Sequence, residues 1–285
     1  MTIMRAVRPA VALALALGLA ACAERDATGG PGELPESSEA AVGEGLVLRV
    51  EQTGGFVTPS MLAGRLPMVS VYADGRVITE GPVIAIHPGP ALPNLQVAQL
   101  DPAGVQDLVD RALAAGVDET TDLGSPPVAD ATSTRFTVVT TEDTYVREVY
   151  ALWETTEGDG LTDDQVAARE ELSGLLDALT TPGDAATSSF EPEAVAAIAS
   201  PWVDPGDGLV QAEQPWPGPA LPGEPTGGPP DVTCVTATGA QAQAVLDAAG
   251  AGNAATPWVT GDGSRWSVTF RPLLPDETGC ADLGD

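Results

Sequence analysis

The side chains able to do chemistry in this chain are few. Among 285 residues there are three cysteines (Cys22, Cys234 and Cys280), one histidine (His87) and no lysine. Without lysine there is no Schiff-base amine, no phosphate-loop ammonium and no Ser-Lys dyad. A Ser-His-Asp or Cys-His arrangement would need His87, which lies in the turn-rich stretch VIAIHPGPALP, and no G-x-S-x-G elbow accompanies it. His87 is therefore read as a loop histidine without catalytic duty, and a metal site of several histidines cannot be built. Carboxylates are abundant, at 41 Asp and Glu. Glu157, Asp159, Asp163 and Asp164 gather in TTEGDGLTDDQ, but they lack the spacing and terminal glutamate of a D-x-[DN]-x-[DN]-G calcium loop. They read as solvated and helix-capping groups, so the sequence nominates no metal site and no catalytic residue.

The lone Cys22 has a different context. Arg5 and Arg8 precede an uninterrupted apolar run, Ala10 to Ala21, the order of an export signal. The run is too short for the roughly 20 residues of a membrane-spanning helix. Leu19-Ala20-Ala21-Cys22 resembles the lipobox of bacterial lipoproteins. That resemblance implies cleavage before Cys22 and a diacylglyceryl group on its sulfur; no cofactor beyond that lipid is expected. It also implies a mature chain held at the extracytoplasmic face of the cell membrane, where two or more acyl chains give stable anchoring. In that disulfide-permissive compartment the remaining pair, Cys234 and Cys280, is read as a disulfide; a metal or redox pair would need closer C-x-x-C spacing.

Charge narrows the partners. The formal net charge is −29, and removing residues 1–21, which hold Arg5 and Arg8 but no acid, makes it −31. Such a field repels phosphate backbones, so no nucleic-acid partner is expected. The partners expected are the membrane, through the lipid anchor, and an envelope protein or glycan.

The elements divide the chain into five parts: a signal peptide (1–21), a Gly/Pro/Ser/Glu-rich disordered tether (22–43), an α+β domain (44–182), a Pro/Gly-rich connector (183–230) and a small β-α-β module (231–285). In the first domain, LVLRVEQ alternates Leu46, Leu48 and Val50 as a half-buried strand does. Asp74-Gly75 marks a hairpin in MVSVYADGRVIT. Asp101 caps a helix with Pro102 in its first turn and Gly116 past its end; Val105, Leu108, Val109, Ala112 and Leu113 form its buried stripe. A second hairpin turns at Glu142-Asp143. A second helix follows, with a Thr162–Gln165 capping box and a stripe of Ala168, Leu172, Leu175, Leu176 and Leu179. Two strand-strand-helix units thus predict an antiparallel sheet with both helices on one face.

In the connector, EAVAAIAS reads as a short edge strand or a helical turn. The last module reads as strand, helix, strand, closed by Cys234–Cys280, with a Thr238–Gln241 capping box and an apolar face of Val245, Leu246 and Ala249. Trp202, Trp216 and Trp258 each follow a proline. They are candidates for stacking on a sugar or peptide, or for pinning the segment to the domain beneath, the reading preferred here. Arg271 beside Asp276 and Glu277 predicts an ion pair locking the tail, with a partner-binding patch as the sharper reading. YADGRV and RPLLPDETGC are similar to segments of uncharacterised actinobacterial secreted lipoproteins, a likeness that implies class and location but no activity. The expectation is a binding or interaction module. The alternatives are an envelope hydrolase using acids that the linear sequence hides and a passive component of an envelope assembly.

Overall fold

The chain folds as α+β around two largely antiparallel sheets in a computed structural model that describes residues 41–154, 160–180, 186–226 and 231–283. Cys22 and the expected signal peptide lie outside the described residues, as do Glu157 and Asp159. The first sheet is built from β1 (Leu46–Gly54), β2 (Val69–Tyr72), β3 (Arg76–Glu80), β4 (Leu95–Gln99), β5 (Thr132–Val139), β6 (Thr144–Tyr150) and β7 (Ser188–Ser189). Their order is β6-β5-β1-β2-β3-β4-β7. Both expected hairpins form. β2 and β3 turn through Ala73-Asp74-Gly75, where Gly75 takes the left-handed φ of 92° and its N–H donates to the Tyr72 carbonyl at 2.9 Å. β5 and β6 turn at Glu142-Asp143, closed by the Thr140 N–H on the Asp143 carbonyl at 2.9 Å.

Three helices lie between these strands in sequence: α1 (Pro59–Ala63), α2 (Pro102–Ala114) and α3 (Asp163–Thr180). The Asp101 carboxylate caps α2 through the Gly104 N–H at 2.8 Å, and Gly116 leaves the helix with φ 82°. Thr162 and Gln165 exchange the two bonds of a capping box at the start of α3. Val105, Val109 and Ala112 of α2 and Leu172, Leu175, Leu176 and Leu179 of α3 share one core with the strands, so both helices cover the same face. In β1 the pattern departs from simple alternation. A register shift between Leu46 and Leu48 lets Val47, Leu48 and Val50 all reach full burial.

The second sheet contains β8 (Ala194–Pro201), β9 (Gln214–Pro215), β10 (Glu224–Pro225), β11 (Thr233–Thr238), β12 (Trp258–Val259) and β13 (Arg265–Pro272), in the order β10-β11-β8-β13-β12-β9. Residues expected to form an edge strand or helical turn inside the connector, EAVAAIAS, instead make the central strand β8, paired with β11 on one side and β13 on the other. The reason is burial on both faces: Val195, Ala197 and Ala199 meet the core under α4 (Gly239–Gly250), while Ala196 and Ile198 meet Ala63, Val232 and Leu273. Alanines leave room for close layers on either side. Val245 and Ala249 of α4 are buried as expected, but Thr238 makes no side-chain capping bond, which corrects the predicted Thr238–Gln241 box.

Segments from both halves fill the space between the sheets. Ala63 and Leu273 pack in the core of the second sheet, whereas Leu66 and Leu274 pack with Tyr72, Ile78 and Leu95 on the first sheet's other face. All the described residues fall in one compact unit, Glu39–Asp285. No helix among them is long and apolar enough to cross a membrane.

Candidate functional site

Arg49 and Glu51 lie at alternate positions of β1, on the face turned away from Val50 and the helices. In an antiparallel sheet that face often meets water. Here the end of β1, the turn after α1, β13 and the C-terminal tail enclose it as a groove of about 390 Å³. The tail is held in place by the Cys234–Cys280 disulfide, with Cα atoms 6.0 Å apart, and by the Cys280 N–H on Thr236 Oγ1 at 3.1 Å.

Four arginines line the groove: Arg49, Arg65, Arg135 and Arg271. They come from β1, the turn after α1, β5 and β13. Arg135 sits directly across from Glu51 in the sheet register, 3.6 Å from it, and donates from Nε to Glu148 at 3.2 Å. Arg49 donates to Ser70 Oγ at 3.2 Å and to Asp276 Oδ1 at 2.8 Å. The same Asp276 oxygen accepts the Tyr72 hydroxyl at 2.7 Å. Arg271 is the deepest: it pairs with Glu277 at 2.7 Å, with the two side chains 3% and 5% exposed. Its remaining donors reach the Arg65 and Pro272 carbonyls, and the second Glu277 oxygen accepts the Leu274 N–H at 2.7 Å.

Burial and these partners shape the electrostatics. Burial, and then the bond to Asp276, push the Tyr72 hydroxyl far above its ordinary value, so it stays protonated and donates. Burial alone would lower Arg49, but its partners, Asp276 foremost through its charge and hydrogen bond, leave the guanidinium above its ordinary value. At Arg271 the balance reverses: burial outweighs Glu277 and lowers it. Against the four arginines stand Glu51, Glu277 and Asp282 in the groove and Asp276 beside it. In a chain of net charge −29 this region is close to charge-neutral.

The residues singled out from sequence are dispersed. Cys234 and Cys280 are joined as expected. Arg271, Asp276 and Glu277 do tie down the tail, but the ion pair is Arg271–Glu277, while Asp276 crosses to Arg49 and Tyr72 on the other sheet. Trp216 and Trp258 are not placed as open stacking platforms. Trp258 is 1% exposed, and the two rings form a cluster with Phe270 at centroid distances of 5.3 to 6.3 Å. Trp216 also donates from Nε1 to the Pro219 carbonyl at 2.6 Å, pinning the proline-rich stretch to the core. Trp202 is half-buried with the Arg265 guanidinium 6.0 Å from its ring centre. His87 is exposed and lies 3.3 Å from Asp207. Asp163 and Asp164 occupy the first turn of α3, where they complement the helix dipole. Among the described residues, no group of three or more His, Cys, Asp or Glu is arranged to hold a metal ion.

Sequence reasoning missed Arg49, Arg65, Arg135 and Tyr72. One signal was available: VSVY in β2 carries no charge at either parity, as befits a strand covered on both faces, and all four of its residues are buried. Comparison with known proteins finds no matching family model, no matching curated protein and no matching solved structure.

Proposed function

We propose that this chain is a lipid-anchored extracytoplasmic binding module, tethered through Cys22, that presents the groove between its sheets to an envelope component. The observation that carries this reading is the groove: a charge-balanced recess where arginines from four segments meet, in a chain whose acids otherwise far outnumber its bases. Its volume falls within the range of small-ligand sites. The export-signal pattern and Leu19-Ala20-Ala21-Cys22 support the anchor, and the acidic balance supports a partner other than nucleic acid. The finer architecture, two strand-strand-helix units and a disulfide-closed tail whose β11 and β13 are joined through β8, is part of the same reading.

Two measurements test it together. In cells producing the full chain, Cys22→Ala moves the protein from the membrane fraction to the soluble one. In thermal unfolding of the purified full chain against envelope glycans, peptides and divalent cations, a groove ligand at roughly 100 times its Kd stabilises by about 2.7 kcal/mol. Leu62→Trp, which fills the groove, abolishes that gain. Membrane retention of the Cys22→Ala chain would remove the anchor. A flat response across the panel, or a gain untouched by Leu62→Trp, would remove the groove.

A further inference from the structure

Arg65 differs from the other groove arginines. Arg49 has Asp276, Arg271 has Glu277, and Arg135 has Glu51 and Glu148. Arg65 pairs with no carboxylate among the described residues. Its Nη1 donates to the carbonyls of Gln52 at 3.1 Å and Gly54 at 3.0 Å, at the end of β1. Its own carbonyl accepts from Arg271 Nε at 3.1 Å. The residue is thus held at both its backbone and its guanidinium, while Nε and Nη2 make no bond to the described residues. Carbonyl dipoles orient a guanidinium but do not neutralise it. A shortage of acids is not the cause, since Asp and Glu outnumber Arg by 41 to 12.

Resting on the reading of this groove as a binding site, we propose that Arg65 receives the carboxylate of a small monoanionic ligand whose body is apolar. A guanidinium fork matches the planar geometry of a carboxylate and binds it through parallel charge-assisted hydrogen bonds. Because Arg65 is already fixed, little side-chain entropy is lost when the ligand arrives. The apolar body follows from Leu62, Leu66, Pro67 and Leu283, which line the same groove. The single charge follows from Glu51 and Asp282, which also line it and oppose a second anionic group. The volume of about 390 Å³ limits the ligand to the size of a modified amino acid or a very short peptide.

The test titrates N-acetyl-leucine into the full chain in detergent and follows probe binding and the Leu62 and Leu66 methyl signals by NMR. N-acetyl-leucinamide, of the same shape without the charge, and inorganic sulfate are run in parallel. The expected result is saturable N-acetyl-leucine binding, weakened at least about tenfold for the amide and for Arg65→Gln, intermediate for Arg65→Lys, and not displaced by sulfate. Amide binding as tight as the acid on the unsubstituted chain overturns the carboxylate assignment without relying on a variant's folding. So does full binding by Arg65→Gln, or displacement by sulfate. If the amide still shifts the two methyl signals, the groove survives as a binding site and only the role of Arg65 falls. If no probe shifts them, both readings fall.

Discussion

The Tyr72 hydroxyl, in the middle of the first sheet, donates to Asp276 of the C-terminal tail at 2.7 Å across 204 residues of sequence. Arg49 shares the same oxygen at 2.8 Å, so one carboxylate ties two neighbouring strands to the tail. Hydrogen bonds to charged groups contribute about 1.5–3 kcal/mol. Tyr72→Phe is therefore expected to lower stability by roughly that amount in urea unfolding. In an Arg49→Met, Asp276→Leu background the same change costs little, because the acceptor is gone. An equal cost in both backgrounds would show that the hydroxyl acts elsewhere.

The Arg271–Glu277 pair is buried and fully engaged. Removing one member leaves a charge with no water to solvate it, at a cost of about 3–5 kcal/mol, whereas replacing both by apolar groups of similar volume is far cheaper. Glu277→Gln should thus lower the denaturation midpoint more than the double change Arg271→Met, Glu277→Leu. The reverse order would mean that the carbonyl contacts of Arg271, and not its charge partner, hold the site.

How much of this was legible depended on sequence separation. The α2 cap, its proline and its stripe lie within a few turns of one another, so Asp101, Pro102 and Val105 declare the helix by themselves. The same holds for Asp74-Gly75 and for Thr162 with Gln165. β8 escaped because Ala196, Ala197 and Ala199 favour helix by propensity, and their strand geometry is imposed by neighbours on both faces. The groove escaped for a similar reason: positions 49, 65, 135 and 271 share no local pattern. Arg49 sits where a half-buried strand would simply point into water.

Trp258 is surrounded by Trp216 and Phe270. Truncating a buried aromatic removes its transfer energy and leaves a cavity, about 3–5 kcal/mol together. Trp258→Ala should show a loss of that size by chemical denaturation. A loss below about 1 kcal/mol would contradict the packed cluster and reopen a surface role for the ring.

Asp282 is exposed, but its Oδ2 accepts from the Thr278 N–H, the Thr278 hydroxyl and the Gly279 N–H. The backbone N–H of Thr278 first, then the other two donors, hold its carboxyl below the ordinary value of 3.8. A carboxyl lowered by folding stabilises the chain above its ordinary value, and that gain disappears as the pH falls through the lower, folded one. Asp282→Asn should therefore reduce the Tm at neutral pH, with a difference that closes on acidification. A difference that widened toward acid would reverse the assignment.

The position of β8 has a consequence for the chain as it is made. β8 emerges before either of its flanking partners, β11 and β13, has been synthesised, and AVAAIAS carries no charge and no proline before Pro201. Until both partners arrive, this strand presents two open edges and two apolar faces, the condition under which nascent segments find one another in place of their own sheet. That exposure spans the interval from the synthesis of β8 to that of β13, the stretch over which shielding from other chains counts most.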